Sequence, residues 1–325
     1  MKVLLTHTPQ SRAQYYGERS LNGLQAIAQV KLHESNDALD AAGLIEAAGD
    51  VDIIVADRMT QGPGEIFPKL PNLRAFVRCA VDIRNIDVEA ASAAGVLVTR
   101  ASSGFVQSVA ELALGFMVDL SRGVSRATAD YHSERKPEII MGRQLAGSRL
   151  GVIGYGSIGR YLAQIARVLG MEVLIADPFA TVSDAAIRHV PLDDLLARSD
   201  FVVCLAVANE QTENLIGQAA LARMQRHAFF INLSRGNLVD EAALTAALRE
   251  NRIAGAAMDV GRALDQMPTP ELAMLPNVIA TPHIGGLTPP AIESQSLETV
   301  RQVEAIVAGD VPTGAVNADQ WKRRP

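Results

Sequence analysis

The run Gly154-Tyr155-Gly156-Ser157-Ile158-Gly159 constrains this chain more than any other stretch. It follows directly on the apolar run Leu150-Gly151-Val152-Ile153 and precedes an amphipathic pattern of helical length, Tyr161 to Leu169. The next apolar run, Met171 to Ala176, ends in an acid, Asp177, 18 residues after Gly159. Strand, glycine turn, helix, strand and terminal acid, in that order, form the dinucleotide-binding fingerprint.

Each position has a physical reason. Gly154 permits the tight turn out of the strand, Gly156 lets the backbone approach a pyrophosphate, and Gly159 lets the helix pack close to the sheet. The amides at the start of the helix, from Tyr155 through Ser157 and Ile158, then face the phosphates, where the helix dipole favours negative charge. A carboxylate at Asp177 accepts hydrogen bonds from both hydroxyls of the adenosine ribose and repels a 2′-phosphate. The following Pro178-Phe179-Ala180-Thr181 offers no arginine to hold such a phosphate. NAD is therefore expected over NADP.

Apolar runs of strand length alternate with amphipathic, helix-length stretches almost throughout, which predicts a parallel α/β architecture. Before the fingerprint, strands are expected at Lys2 to Thr6, Val51 to Ala56, Leu73 to Cys79 and Val96 to Thr99, with helices at Ala38 to Ala48 and Val88 to Ala94. A long helical pattern from Val106 to Arg122 opens a second domain. Later strands are expected at Phe201 to Leu205, Ala228 to Asn232, Gly255 to Met258 and Val278 to Ala280. The last helix should start at Thr288, with Pro289 and Pro290 in a first turn that has no use for their missing N–H groups, and run to about Ala308. The dinucleotide unit thus begins mid-chain, after a complete α/β segment. That order predicts a cofactor domain over residues 102–287, inserted into a domain made of residues 1–101 and 288–325.

Composition narrows the partners. At 325 residues, 48% hydrophobic and 20% charged, the chain suits two soluble domains, each with its own core. A net charge of −6 gives no electrostatic reason to expect nucleic acid or an anionic membrane. No segment approaches the roughly 18 uninterrupted apolar residues of a membrane span, and the amino-terminal apolar run is too short for a signal peptide. Cys79 and Cys204 lie inside apolar runs and are expected as buried free thiols, which suits a cytoplasmic location. His7, His33, His132, His189 and His227 lack metal-ligand spacing and are expected in solvated or capping roles, so no metal site is expected. Asp193, Asp194 and Asp200 read as helix-surface charges.

Two residues outside the fingerprint carry chemistry. Arg235, in Ile231-Asn232-Leu233-Ser234-Arg235-Gly236, and His283, in Thr281-Pro282-His283-Ile284-Gly285-Gly286, each follow an apolar strand and precede glycine. Strand carboxyl ends form the ligand crevice of open parallel sheets. A guanidinium there can hold a carboxylate and polarise an adjacent carbonyl. An imidazole titrates near neutrality and can exchange the proton that accompanies hydride transfer.

Together these segments resemble the D-isomer-specific 2-hydroxyacid dehydrogenase family, which includes 3-phosphoglycerate, glyoxylate/hydroxypyruvate, D-lactate and formate dehydrogenases. The resemblance rests on Ser108 to Gly115, Leu150 to Arg160, Ile231 to Leu244, Ala254 to Val260 and Leu275 to Gly286, in family order. It implies a Rossmann NAD-binding domain inserted into a flavodoxin-like substrate domain, and a homodimer through the cofactor domains. It implies that Arg235 binds and polarises a 2-oxo acid and that His283 is the general acid/base. It also sets Leu233 and Asp259 against the cofactor, Asp259 near the nicotinamide end. The substrate carboxylate would fall to the loop containing Ala80, Val81, Asp82 and Arg84.

The chain departs from the family at two places. Relatives carry a glutamate five residues after the aspartate of the Ala-Met-Asp-Val block, where it orients the histidine and raises its pKa; here that position is Leu264. Without a carboxylate, His283 is expected to be less basic and less well oriented, unless Asp265 or Gln266 approaches it. The substrate loop, usually glycine-rich, reads Cys79-Ala80-Val81-Asp82-Ile83-Arg84-Asn85-Ile86-Asp87, with Asp82 disfavouring an anion and Arg84 favouring one, and Phe105 stands where relatives often have asparagine. Arg58 reads as a solvated arginine that can also reach a substrate acid or phosphate. The leading expectation is an NAD-dependent dehydrogenase of a D-2-hydroxy acid. The alternatives are an NAD-binding regulatory or interaction protein, suggested by Leu264, and an enzyme for a phosphorylated or sulfonated acid.

Overall fold

The computed structural model describes residues 1–325 except for the side chain of Asp265. The chain divides into two units, Met1–Phe105 with Thr288–Pro325, and Val106–Leu287. Among the described residues no helix is long and apolar enough to cross a membrane.

The first unit holds five parallel strands, β1 (Lys2–Leu5), β2 (Gln29–Leu32), β3 (Ile53–Ala56), β4 (Ala75–Arg78) and β5 (Leu97–Arg100), in the order β2-β1-β3-β4-β5. Apart from Lys2 at the start of β1 and Arg78 at the end of β4, the inner strands are apolar, as suits a sheet covered on both faces. Leu4, Ile54, Phe76 and Val98 pack toward Leu44 and Phe67, while Val3, Ile53, Val55, Val77 and Leu97 pack toward Leu24, Val303 and Ile306. The strand order reverses between β1 and β3, which makes their carboxyl ends the ligand-ready switch point of a flavodoxin-like sheet.

The helix Pro289–Val307 returns to this unit, with Thr288 as its N-cap and the two prolines in its first turn. Its inner face is polar as well as apolar. Thr299 bonds Tyr16, Ser296 bonds Ser20, and Gln302 accepts from Thr99.

The second unit holds seven parallel strands, β6 (Arg149–Ile153), β7 (Glu172–Ala176), β8 (Ile187–His189), β9 (Phe201–Cys204), β10 (Phe229–Asn232), β11 (Gly255–Met258) and β12 (Val278–Ala280). Their order is β12-β11-β10-β9-β6-β7-β8, a Rossmann sheet whose switch point lies between β6 and β9. The amphipathic helix Ser157–Val168 buries Gly159, Leu162, Ala163 and Ala166. Cys204 sits in the core of this unit and Cys79 in that of the first, both as free thiols.

The elements the sequence did not announce are peripheral. β2 is an edge strand that alternates only between exposed and half-buried residues, so it carries no apolar run. β8 is an edge strand of three residues, two of them exposed. Helices at Pro9–Tyr15, Glu18–Ile27 and Val124–His132 were likewise not foreseen. Asp200 lies not on a helix surface but at the entry to β9, where it accepts from Arg143, the Arg149 amide and His227.

Candidate functional site

All the sequence-predicted groups of the second unit lie at the carboxyl edge of its sheet. The glycine turn leaves β6, Asp177 follows β7, and Arg235, Asp259 and His283 follow β10, β11 and β12.

The three glycines of the turn do three different things. Gly154 has φ +93°, and a Cβ there would lie 2.6 Å from the Ala206 nitrogen, so no other residue fits without backbone movement. A Cβ at Gly159 would lie 2.4 Å from the Gly154 oxygen, which is the close helix–strand contact. A Cβ at Gly156 meets nothing within 4 Å. The fold itself therefore does not require glycine at Gly156, and the open space beside it would admit a pyrophosphate against the backbone. The amides of Gly156, Ser157 and Ile158 donate to no acceptor among the described residues, as expected for a helix start awaiting an anion. Asp177 braces the same turn, its Oδ2 accepting from the Tyr155 amide at 2.7 Å and its Oδ1 from the Phe179 amide at 2.9 Å. Each oxygen keeps a further lone pair for ribose hydroxyls. The residues present thus fit a dinucleotide with an unphosphorylated ribose.

Arg235 stands half-buried just past β10. Its turn is held by the buried Asn232, whose Nδ2 donates to the Arg235 oxygen at 3.0 Å and whose Oδ1 accepts from the Ser234 amide at 3.1 Å. The Arg235 Nη1 donates to the Ser234 oxygen at 2.7 Å. Leu233 is buried beside it.

Asp259 is buried and its carboxylate is claimed by the histidine loop. It accepts from Thr281 Oγ1 at 2.5 Å and from the Ile284 and Gly285 amides, both at 2.8 Å. His283 lies inside this clasp at φ +55°, a left-handed conformation that costs a residue other than glycine about 1 kcal/mol or more. Three hydrogen bonds to one buried carboxylate maintain that conformation.

The departure at Leu264 is plain in the structure. Leu264 is 91% exposed, on a 3₁₀ turn spanning Leu264–Gln266. Gln266, at φ +60°, has its Oε1 sheltered from solvent and without a hydrogen bond among the described residues, so that oxygen does not take the place of the family's glutamate. The side chain of Asp265, the other candidate, lies outside the described residues.

In the first unit, the loop after β4 carries Ala80, Val81, Asp82 and Arg84. The amides of Ala80 and Val81 donate to no acceptor among the described residues. Asp82 and Arg84, with opposed expected effects on an anion, form an ion pair at 2.6 Å, and Arg84 also donates through Nε to both Asp82 oxygens. The bonded carboxylate raises the Arg84 pKa above its ordinary value. Arg58 is exposed and makes no ion pair with a described residue.

Two groups at this edge depart from the sequence reading, which expects His7 in a solvated or capping role and singles out nothing at Arg78. His7, just past β1, is fully buried rather than solvated, its ring 5.1 Å from that of Tyr16 and its Nδ1 without a hydrogen-bond partner among the described residues. Burial lowers its pKa to about 4, and Arg12 and Arg78 add to that effect against the opposing pull of Asp57. Arg78, the last residue of β4, is also fully buried. Nothing in their sequence neighbourhoods separates them from surface residues. No group of three or more metal-ligating side chains occurs among the described residues.

Comparison with known proteins gives a consistent picture. Residues 114–285 match the family model of the D-isomer specific 2-hydroxyacid dehydrogenase, NAD binding domain. The chain is 36% identical to (S)-sulfolactate dehydrogenase from Chromohalobacter salexigens, over 81% of this chain and 87% of that protein. It is 32% identical to D-3-phosphoglycerate dehydrogenase from Methanocaldococcus jannaschii over 92% of its own length, but spans only 57% of that relative. The crystal structure of D-lactate dehydrogenase from Aquifex aeolicus complexed with NAD and lactic acid superposes with a TM-score of 0.79, at 25% identity, covering 99% of this chain and 98% of the other.

Proposed function

This chain belongs to the D-isomer specific 2-hydroxyacid dehydrogenase family, and from that premise we propose that it moves a hydride between NAD and C2 of a D-2-hydroxy acid or its 2-oxo counterpart. The observation that carries the reading is the carboxyl edge of the seven-stranded sheet. Arg235 and His283 follow strands on either side of the one that precedes Asp259, and the glycine cradle opens on the same edge.

When bound, the nicotinamide supplies or takes the hydride. The chain's own residues do the rest. Arg235 pairs with the substrate carboxylate and stabilises negative charge on the C2 oxygen. His283 gives its proton to that oxygen in reduction and takes it back in oxidation. Asp259 fixes the loop that carries His283, and the family resemblance assigns Leu233 and Asp259 to the cofactor, Asp259 near its nicotinamide end. The first unit's part, through Ala80, Val81, Asp82 and Arg84, is assigned on the same ground and is supported by the free amides of Ala80 and Val81. Arg84 is occupied by Asp82, whereas Arg58 is exposed and makes no ion pair with a described residue, so we assign a second acidic group on the substrate to Arg58. That favours a phosphorylated or sulfonated 2-oxo acid. A homodimer through the second unit is supported by the apolar groups it leaves in solvent, including Tyr131, Ile139 and Met141, and is tested by sedimentation.

The test is NADH oxidation with a panel of 2-oxo acids that includes phosphorylated and sulfonated members. Arg235→Ala and His283→Asn should each lower kcat/KM by about 10²- to 10⁴-fold while NADH binding stays within twofold of wild type. NADH binding without turnover of any acid would favour a regulatory role, the reading to which Leu264 lends weight.

A further inference from the structure

Arg78 is a buried charge that makes no ion pair among the described residues. Its Nη1 donates to the Asp57 oxygen, and its Nη2 to the Thr60 oxygen at 2.7 Å and to Asn85 Oδ1 at 2.8 Å. Its Nε has no partner among the described residues. Burial pulls its pKa down to about 10, against the raising effect of Asp57 and Asp82. Burying a guanidinium against neutral carbonyls is costly, and an apolar side chain would fill the same space more cheaply. The cost therefore calls for a reason other than packing.

The contacts supply one. The three acceptors lie on two separate loops at the carboxyl edge of the five-stranded sheet. Asp57 and Thr60 belong to the loop after β3, which carries Arg58. Asn85 belongs to the loop after β4, which carries Ala80 and Val81. Asn85 extends the tie, donating from Nδ2 to the Arg58 oxygen at 3.2 Å, while its own oxygen accepts from the Gly62 amide at 2.9 Å. On the far side, Asp57 Oδ1 accepts from both the amide and hydroxyl of Thr60, and Thr6 Oγ1 donates to or accepts from Thr60 Oγ1 at 2.7 Å. A single planar fork with fixed donor directions thus sets the spacing of both loops, a task for which a flexible ammonium is ill suited.

We propose that Arg78 is a positioning residue for the substrate: its buried guanidinium clamps the 57–62 and 79–87 loops together and so presets the amides of Ala80 and Val81 and the side chain of Arg58 to receive an anionic 2-oxo acid. The proposal rests on the dehydrogenase reading. It concerns substrate affinity, because the hydrogen-bond partners of Arg78 all lie on the two loops of the first unit.

The test compares wild type with Arg78→Lys and the milder Asn85→Ala, using the best 2-oxo acid of the panel. In both variants KM for the acid should rise about tenfold or more, with kcat and the NADH dissociation constant within twofold of wild type. Amide hydrogen exchange should accelerate across residues 57–62 and 79–87 and stay unchanged in the second unit. A purely structural loss would instead cut kcat and NADH-binding capacity together, through a smaller folded fraction, and leave KM alone. If Arg78→Lys does not fold, Asn85→Ala carries the same prediction. KM within twofold of wild type in a folded, NADH-binding variant overturns the proposal. If wild type itself turns over no acid, the dehydrogenase reading fails and the positioning role with it, while the exchange data still report whether the clamp exists.

Discussion

In the second unit, the polar side chains at the carboxyl edge of the sheet are met by backbone. Asp177 accepts from the Tyr155 and Phe179 amides, and Asp259 from the amides of Ile284 and Gly285 together with the Thr281 hydroxyl. In the first unit, backbone oxygens are met by a buried side chain, Arg78, with a neutral His7 buried nearby. One edge is shaped by glycines and the other by desolvated charge. The difference predicts different sensitivities. The second unit should fail when a Cβ is added, and the first when protons are added.

The largest effect is expected from Gly154→Ala. It forces a side chain into φ +93° and places a Cβ 2.6 Å from backbone, for a loss of about 3 kcal/mol or more in the stability of the second unit. Calorimetry and NADH titration of the variant would check this; an unchanged melting profile with normal NADH affinity would remove glycine geometry from the account.

His7 gives the next largest effect. Its pKa in the folded state is about 4, against about 6.5 when unfolded, so the unfolded chain binds the proton more readily. The stability contributed by keeping His7 neutral is whole above about pH 6.5 and is lost as pH falls toward 4. Between pH 7 and pH 5 the loss amounts to about 2 kcal/mol. Urea unfolding at the two pH values should show that difference in wild type and not in His7→Gln. Equal slopes would mean that His7 is not buried neutral.

The smallest effect belongs to Leu264→Glu. With Leu264 91% exposed, stability should change by no more than about 0.5 kcal/mol. A larger change would show that the 3₁₀ turn at Leu264–Gln266 depends on that side chain.

The same contrast explains what could be read in the sequence. Glycine spacing reports backbone geometry directly, so Gly154 to Gly159, the acid at Asp177 and the strand-end positions of Arg235 and His283 were all legible. Pro289 and Pro290 marked a helix start for a similar reason, their missing N–H groups being harmless only in a first turn. Arg78 was not legible, because an arginine near the end of an apolar strand looks the same whether it turns outward or is held between two loops. His7 was read as solvated for the same reason. The pairing of Asp82 with Arg84 also needed coordinates, since opposed charges two residues apart say nothing of whether they meet. The edge strands β2 and β8 escaped notice because a strand with little buried face leaves little apolar pattern.

The central claim is that the edge carrying Gly154 to Gly159, Arg235 and His283 transfers a hydride to C2 of a 2-oxo acid. The most direct test follows deuterium from C4-deuterated NADH into the product formed from the panel acids. Label at C2 of a hydroxy acid of D configuration, arriving about 10²- to 10⁴-fold more slowly with His283→Asn, is the predicted result. NADH that binds while no acid acquires label, or label in an L product, would contradict it.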